Sequence, residues 1–118
     1  MVTKISRRND EGFNVGGILD LGARTTVLIG AHYDHLGKGE YHVRRELSRG
    51  IYNGADDNAS GVSVMLEVLN QLSLNSDLQK SNVIFIAFSG EEDGLIGSKH
   101  FIKNCPLDPK TISQMINI

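Results

Sequence analysis

The chain has 118 residues, which is enough for one domain at most. Twelve basic residues against fourteen acidic ones leave a formal net charge of -2, and no basic stripe points to nucleic-acid binding. No stretch is apolar for long enough to cross a membrane, and the single cysteine, Cys105, excludes an internal disulfide. We therefore expect one domain, residues 1–118, with neither nucleic acid nor a membrane among its partners.

The N-terminal third predicts three strands. Residues 2–8 alternate weakly and predict an edge strand, and residues 9–12 carry a turn signal. Residues 13–19 predict a second strand, in which the pair Gly16 and Gly17 suggests a bulge. Residues 25–31 predict a buried strand, and we expect it to pair with residues 13–19 as a hairpin.

The middle of the chain predicts a charged loop and then a helix. Residues 38–52 have little periodicity, and we expect an exposed loop there that borders the site. A turn at residues 54–58 leads into a helix from Ala59, where Asp57, Asn58 and Ser60 suit the first free N–H groups. The helix packs on a sheet through apolar residues at helical spacing: Val62, Met65, Leu66, Leu69 and Leu72, widened by Val64 and Val68.

The last third predicts the centre of the sheet. Residues 83–88 form an unbroken apolar run, typical of a strand buried on both faces of a parallel sheet. A short helix is expected over residues 94–103, and residues 112–118 predict another buried strand. The pattern favours an α/β fold, a three-layer α/β/α sandwich with a mixed, mostly parallel sheet.

Three polar clusters are expected to meet at one edge of that sheet. His32 and Asp34 follow one strand, and the adjacent carboxylates Glu91 and Glu92 follow another. Asp57 lies at a helix start that faces the same edge, and ligands bind at the carboxyl ends of parallel strands. One histidine with several carboxylates and no thiolate suits zinc, with manganese and cobalt as alternatives. One carboxylate of the Glu pair can bind metal while its neighbour acts as a base.

The residues around these clusters resemble a known family. Three ordered motifs carry the resemblance: GAHYDHLG at 30–37, NGADDNASG at 53–61, and AFSGEE at 87–92 followed by GLIGS at 94–98. They are similar to the co-catalytic dizinc peptidases, which include aminopeptidase Y, bacterial leucyl aminopeptidases and glutamate carboxypeptidase relatives. The resemblance covers about residues 13–118 and implies a zinc-exopeptidase-like fold, a peptide substrate and a secreted or periplasmic parent.

The resemblance also implies a role for each matching residue. His32 would bind one zinc, Glu92 the other, and Asp57 would bridge both. Glu91 would be the general base that takes a proton from water, and Asp34 would orient the ring of His32. The family pattern needs a further Asp and a further His beyond residue 118, so we expect an N-terminal fragment of a catalytic domain. Such a fragment is expected to be inactive alone and to self-associate through its truncated sheet.

Other readings stay open at this stage. The same fold and a related metal site would suit a glutaminyl-cyclase-like acyltransferase or a non-catalytic binding domain. His35 is interpreted as a solvated or outer-shell histidine, and Asp56 as a helix cap or outer-shell residue. We expect Tyr33 and Tyr52 either to line the substrate cleft or merely to pack. We interpret the remaining candidates as surface or loop residues rather than ligands: His42, His100, Cys105, Arg44, Arg45 and Arg49.

Overall fold

A computed structural model describes residues 1–7, 10–38, 50–75 and 80–118. The interpretations of His42, Arg44, Arg45 and Arg49, and most of the loop expected at 38–52, lie outside these residues. The described strands and α-helices, in chain order, are β1 (Val2–Arg7), β2 (Asp10–Leu19), β3 (Thr26–His32), α1 (Ser60–Leu74), β4 (Asn82–Phe88), α2 (Ile96–Lys103) and β5 (Ile112–Asn117). In these parts of the chain, no helix is both long and apolar enough to span a membrane.

The five strands form one mixed sheet in the order β1-β2-β4-β3-β5. β3 runs parallel to both β4 and β5, whereas β2 is antiparallel to both β1 and β4. β2 is therefore the one strand of the five that runs against the others. This arrangement confirms the prediction of an α/β fold with a mixed, mostly parallel sheet.

Helices cover the two faces of the sheet because the side chains of β4 alternate between them. On one face, Val83 and Phe85 pack with Met65 of α1. On the other face, Ile84 and Ile86 pack with Phe101 of α2. The two apolar clusters give the three-layer sandwich that the sequence predicts, with β4 at its centre.

The predicted hairpin between residues 13–19 and 25–31 is wrong. β2 pairs instead with β1 on one side and with β4 on the other, where Val15 lies opposite Ala87. The physical reason lies in β4, whose residues Val83–Ile86 are at most 4% exposed. Buried main-chain groups need hydrogen-bond partners, so this strand takes a neighbour on each edge.

The expected bulge in β2 is also absent from its described pairing with β4. The register runs from Val15 to Leu19 without a shift. A Cβ atom on Gly16 would lie 2.5 Å from the carbonyl oxygen of Phe85. The glycine therefore allows a close approach of two main chains rather than an extra residue. The bounds of the predicted turn at 9–12 are wrong, because β2 already begins at Asp10.

Three further expectations are corrected at the helices and the last strand. Val64 and Leu66 are 50% and 55% exposed, so the stripe of α1 that faces the sheet is narrower than predicted. α2 begins at Ile96 because Gly94 and Leu95 have φ angles of 95° and 62°, which an α-helix does not accommodate. β5 is largely exposed rather than buried, because among the described strands it has β3 as its neighbour on one side only.

Candidate functional site

The end of β3 and the turn before α1 bring a histidine and a carboxylate together. His32 is the last residue of β3, and its Nε2 atom lies 2.9 Å from Oδ1 of Asp57. The His32 side chain is 13% exposed and that of Asp57 is 62% exposed, so the pair faces solvent from the carboxylate side. The structure therefore brings together two residues that are 25 positions apart in the chain, as the sequence predicts.

Asn58 fixes the turn that carries Asp57. Its Oδ1 atom accepts a hydrogen bond from the amide of Gly61 at 3.1 Å, which caps the first turn of α1. Its Nδ2 atom donates to the carbonyl of Ile118 at 2.9 Å, which ties the turn to the end of β5. A Cβ atom on Gly61 would lie 2.3 Å from Asn58 Oδ1, so this contact requires glycine. The predicted role of Asn58 at the helix start is confirmed.

Asp34 contacts both His32 and the loop that carries the Glu pair. Its carbonyl oxygen lies 3.1 Å from Nδ1 of His32, while its carboxylate oxygen lies 3.8 Å from the same atom. The carboxylate instead accepts the amide of Glu91, with both oxygens within 3.2 Å. Asp34 therefore contacts the His32 ring mainly through its main chain and holds Glu91 through its side chain.

The contact with the Asp34 carbonyl has a consequence for His32. A carbonyl oxygen accepts hydrogen bonds only, so Nδ1 carries the hydrogen and Nε2 of the neutral ring is a lone-pair donor. Nε2 and the Asp57 carboxylate oxygen then face each other as two acceptors, 2.9 Å apart. A divalent metal ion between the two atoms would satisfy both lone pairs. The donor chemistry at this position therefore fits a divalent metal.

The Glu91–Glu92 loop is closed by main-chain hydrogen bonds between the end of β4 and the start of α2. The amides of Ile96 and Gly97 donate to the carbonyls of Gly90 and Ser89, at 2.8 and 2.9 Å. The amides of Gly94 and Leu95 both donate to the carbonyl of Glu91 at 2.9 Å. The loop is thus a short, closed turn, and both carboxylates project from it.

Asn14, which the sequence analysis did not single out, fastens this loop. It lies on β2 and is 1% exposed. Its Nδ2 atom donates to the carbonyl of Gly97 at 2.8 Å, and its Oδ1 atom accepts the amide of Ser89 at 3.2 Å. A Cβ atom on Gly97 would lie 2.3 Å from Asn14 Oδ1. The available signal was an amide side chain in a predicted strand, two residues from Gly12 and from Gly16, which by itself does not indicate a contact with a distant loop.

The side chain of His35 contacts the Glu pair directly. Its Nδ1 atom is 2.8 Å from Oε1 of Glu92, and both side chains are mostly buried. One ligand atom from each of His35, Asp57 and Glu92 lies within 4.8 Å of the other two. The edge of the His35 ring contacts Tyr52, with ring centroids 6.0 Å apart.

A cavity of about 300 Å³ lies beside His32, Asp57 and Glu91, whose side chains line it. The apolar residues Phe88 and Leu95 also line it. Its volume is at the lower end of the range for small-molecule sites. Cys105 lines a different cavity, beside Phe101 of α2, so this thiol is not part of the cluster.

The chain is similar to known peptidases. Its sequence matches the description "Peptidase family M28" over residues 14–118. A probable leucine aminopeptidase from Trichophyton verrucosum is 31% identical over 109 residues, which cover 89% of this chain and 27% of that protein. Aminopeptidase YwaD from Bacillus subtilis is 52% identical over 77 residues, which cover 64% of this chain and 13% of that protein.

The fold is also similar to a solved structure. A Zn-dependent exopeptidase from Parabacteroides distasonis superposes with a TM-score of 0.78 at 20% sequence identity, covering 99% of this chain and 45% of that one. Together, the fold and the family match define a peptidase-like α/β domain. The chain belongs to peptidase family M28. It spans about a quarter of the length of the first relatives it matches.

Proposed function

We propose that the full-length protein is a zinc-dependent exopeptidase, and specifically an aminopeptidase that acts on peptides. The observation that carries the proposal is the shared cavity of His32, Asp57 and Glu91, next to the cluster of His35, Asp57 and Glu92. Family membership and relatives named as aminopeptidases support the same reaction class. The proposal reaches beyond this chain, since the relatives are several times longer.

The donor set supports zinc as the metal. Imidazole nitrogens and carboxylate oxygens are typical zinc ligands, and the cluster contains no thiolate. We assign His32 to one ion and Glu92 to a second, with Asp57 shared between them. When bound, zinc supplies a Lewis acid that polarises a carbonyl group and makes water more acidic.

Glu91 is the proposed general base. Its carboxylate lines the same cavity as His32 and Asp57, and its own amide is held by Asp34. In the proposed reaction, Glu91 takes a proton from the attacking water and then passes it to the leaving amine. Asp34 keeps both the His32 ring and the Glu91 main chain in place while this transfer occurs. The apolar side chains of Phe88 and Leu95 provide a surface for the substrate.

The test is the Glu91→Gln variant of the full-length protein, assayed with aminoacyl nitroanilides. Turnover is expected to fall by about 10²- to 10⁴-fold, because a general base contributes on this scale, while the bound zinc is unchanged. The matched control is Glu67→Gln, since Glu67 is an exposed residue of α1 that hydrogen-bonds Gln71. Parental turnover by Glu91→Gln would show that Glu91 is not the base, and a wild-type protein without zinc or hydrolysis would overturn the whole proposal.

A further inference from the structure

The contact between His35 and Glu92 has no role in the mechanism proposed above. The two residues are 57 positions apart, and they meet through a single short contact between Nδ1 and Oε1 at 2.8 Å. An ionised carboxylate accepts hydrogen bonds only, so His35 must donate the hydrogen of Nδ1 to Glu92. The neutral ring then has its lone pair on Nε2, and the one hydrogen on Nδ1 is donated to the carboxylate.

We infer that His35 is a positioning residue, which holds the Glu92 carboxylate in the orientation that binds metal. This inference rests on the proposed function, because it assumes that Glu92 is a zinc ligand. It adds a residue to the site, since neither the metal ligands nor the general base include His35. The geometry that carries it is the short Nδ1–Oε1 contact, together with the placement of the Glu92 oxygen within 4.8 Å of an Asp57 oxygen.

The surroundings of His35 restrict its ring. Tyr52 contacts the ring edge-on at an interplanar angle of 74°. A Cβ atom on Gly54 would lie 3.0 Å from the Cβ atom of His35, so the turn before α1 packs directly on this side chain. Gly54 also has a φ angle of 65°, which favours glycine at this position. Because these contacts already restrict the rotamers of His35, little further conformational entropy is lost when its ring hydrogen-bonds the Glu92 carboxylate.

A direct ligand role for Nδ1 fits the contact less well. A nitrogen that binds metal must present its lone pair, whereas Nδ1 must present a hydrogen to remain 2.8 Å from a carboxylate oxygen. Metal-binding carboxylates are generally hydrogen-bonded by a second group, and the loss of such a group typically costs 10- to 100-fold in metal affinity. We therefore expect His35 to act on the metal through Glu92.

The test compares two substitutions in the full-length protein by competition for zinc against a chelator at fixed pH. His35→Leu removes the donor and should weaken zinc binding by about 10- to 100-fold. His35→Asn places an amide N–H near the position of Nδ1 and should bring the affinity back to within a few fold of the wild type. The matched control is His100→Leu on α2, which should bind zinc as the wild type does.

Two results would overturn the inference. Wild-type zinc affinity in His35→Leu would show that the contact does not support the metal. Affinity in His35→Asn as weak as in His35→Leu would show that the ring itself is needed, as a ligand or for packing. A wild-type protein that binds no zinc would instead refute the proposed function on which the inference rests.

A second measurement avoids the risk that a variant fails to fold. The nitrogen chemical shifts of a histidine ring distinguish its two neutral tautomers, and the zinc-loaded wild-type protein is sufficient for this experiment. We expect the His35 ring to be protonated on Nδ1, with its signal assigned through the bonds that link the ring to the His35 main chain. A ring protonated on Nε2 alone would contradict the inference whatever the variants show.

Discussion

Replacing Asn14 by alanine should loosen the loop that carries Glu91 and Glu92. Asn14 is 1% exposed on β2, and it binds both ends of this loop through the carbonyl of Gly97 and the amide of Ser89. Alanine removes both hydrogen bonds and adds no new partner. The closed turn between β4 and α2 would then rely on its internal main-chain hydrogen bonds.

The size of the effect follows from those two contacts. A typical hydrogen bond contributes about 1 kcal/mol net, so the loss of two destabilises the closed loop by about 2 kcal/mol. A free energy of 1.4 kcal/mol corresponds to a factor of ten, so the open form should become about 30-fold more populated. The carbonyl of Gly97 and the amide of Ser89 would also be left without partners. Since an unsatisfied buried group costs more than a lost hydrogen bond, about 2 kcal/mol is a lower bound for the destabilisation.

Amide hydrogen exchange measures this local opening directly. In Asn14→Ala, the amides of Ile96 and Gly97 should exchange about 30-fold faster, since both donate across the loop. A peptide from α1 should keep its wild-type exchange rate. The control variant is Asn70→Ala, which removes an exposed amide from α1. Unchanged protection of the loop in Asn14→Ala would refute the conclusion that Asn14 fastens it.

Two further predictions concern the metal and the isolated chain. Asp57→Asn should abolish zinc binding at both positions because the residue is shared. Asp34→Asn should weaken zinc affinity by at most about 10-fold, because the main-chain contact of Asp34 with His32 remains. Equal losses in a zinc titration would contradict this ranking. The 118-residue chain alone should hydrolyse aminoacyl nitroanilides poorly with added zinc and should self-associate through the exposed strand β5, where Met115 and Ile116 are 51% and 47% exposed. A monodisperse chain in light scattering that binds two zinc ions and turns over substrate would show the opposite.

The sequence by itself determined the central strands and the place of the site. The apolar run at residues 83–88 predicts β4, because a strand buried on both faces needs apolar side chains on each of them. The polar residues that follow β3 and β4 were expected to meet, since parallel strands end at the same edge. The hydrogen bond from the Glu91 amide to the Asp34 carboxylate agrees with that reasoning. The roles given to Glu91, Glu92 and Asp34 in catalysis stay predictions.

Only the tertiary structure decided which strands pair and what surrounds the site. Local pattern does not distinguish a hairpin of β2 with β3 from the observed pairing of β2 with β4, because each strand is apolar enough for either partner. The exposure of β5 depends on its position at the edge of the sheet, which its own sequence does not encode. The contacts of Asn14 with Gly97 and of His35 with Glu92 join residues 83 and 57 positions apart. The strand pattern predicts at most which residues lie near one edge of the sheet, whereas the individual hydrogen bonds depend on where the assembled sheet places each side chain.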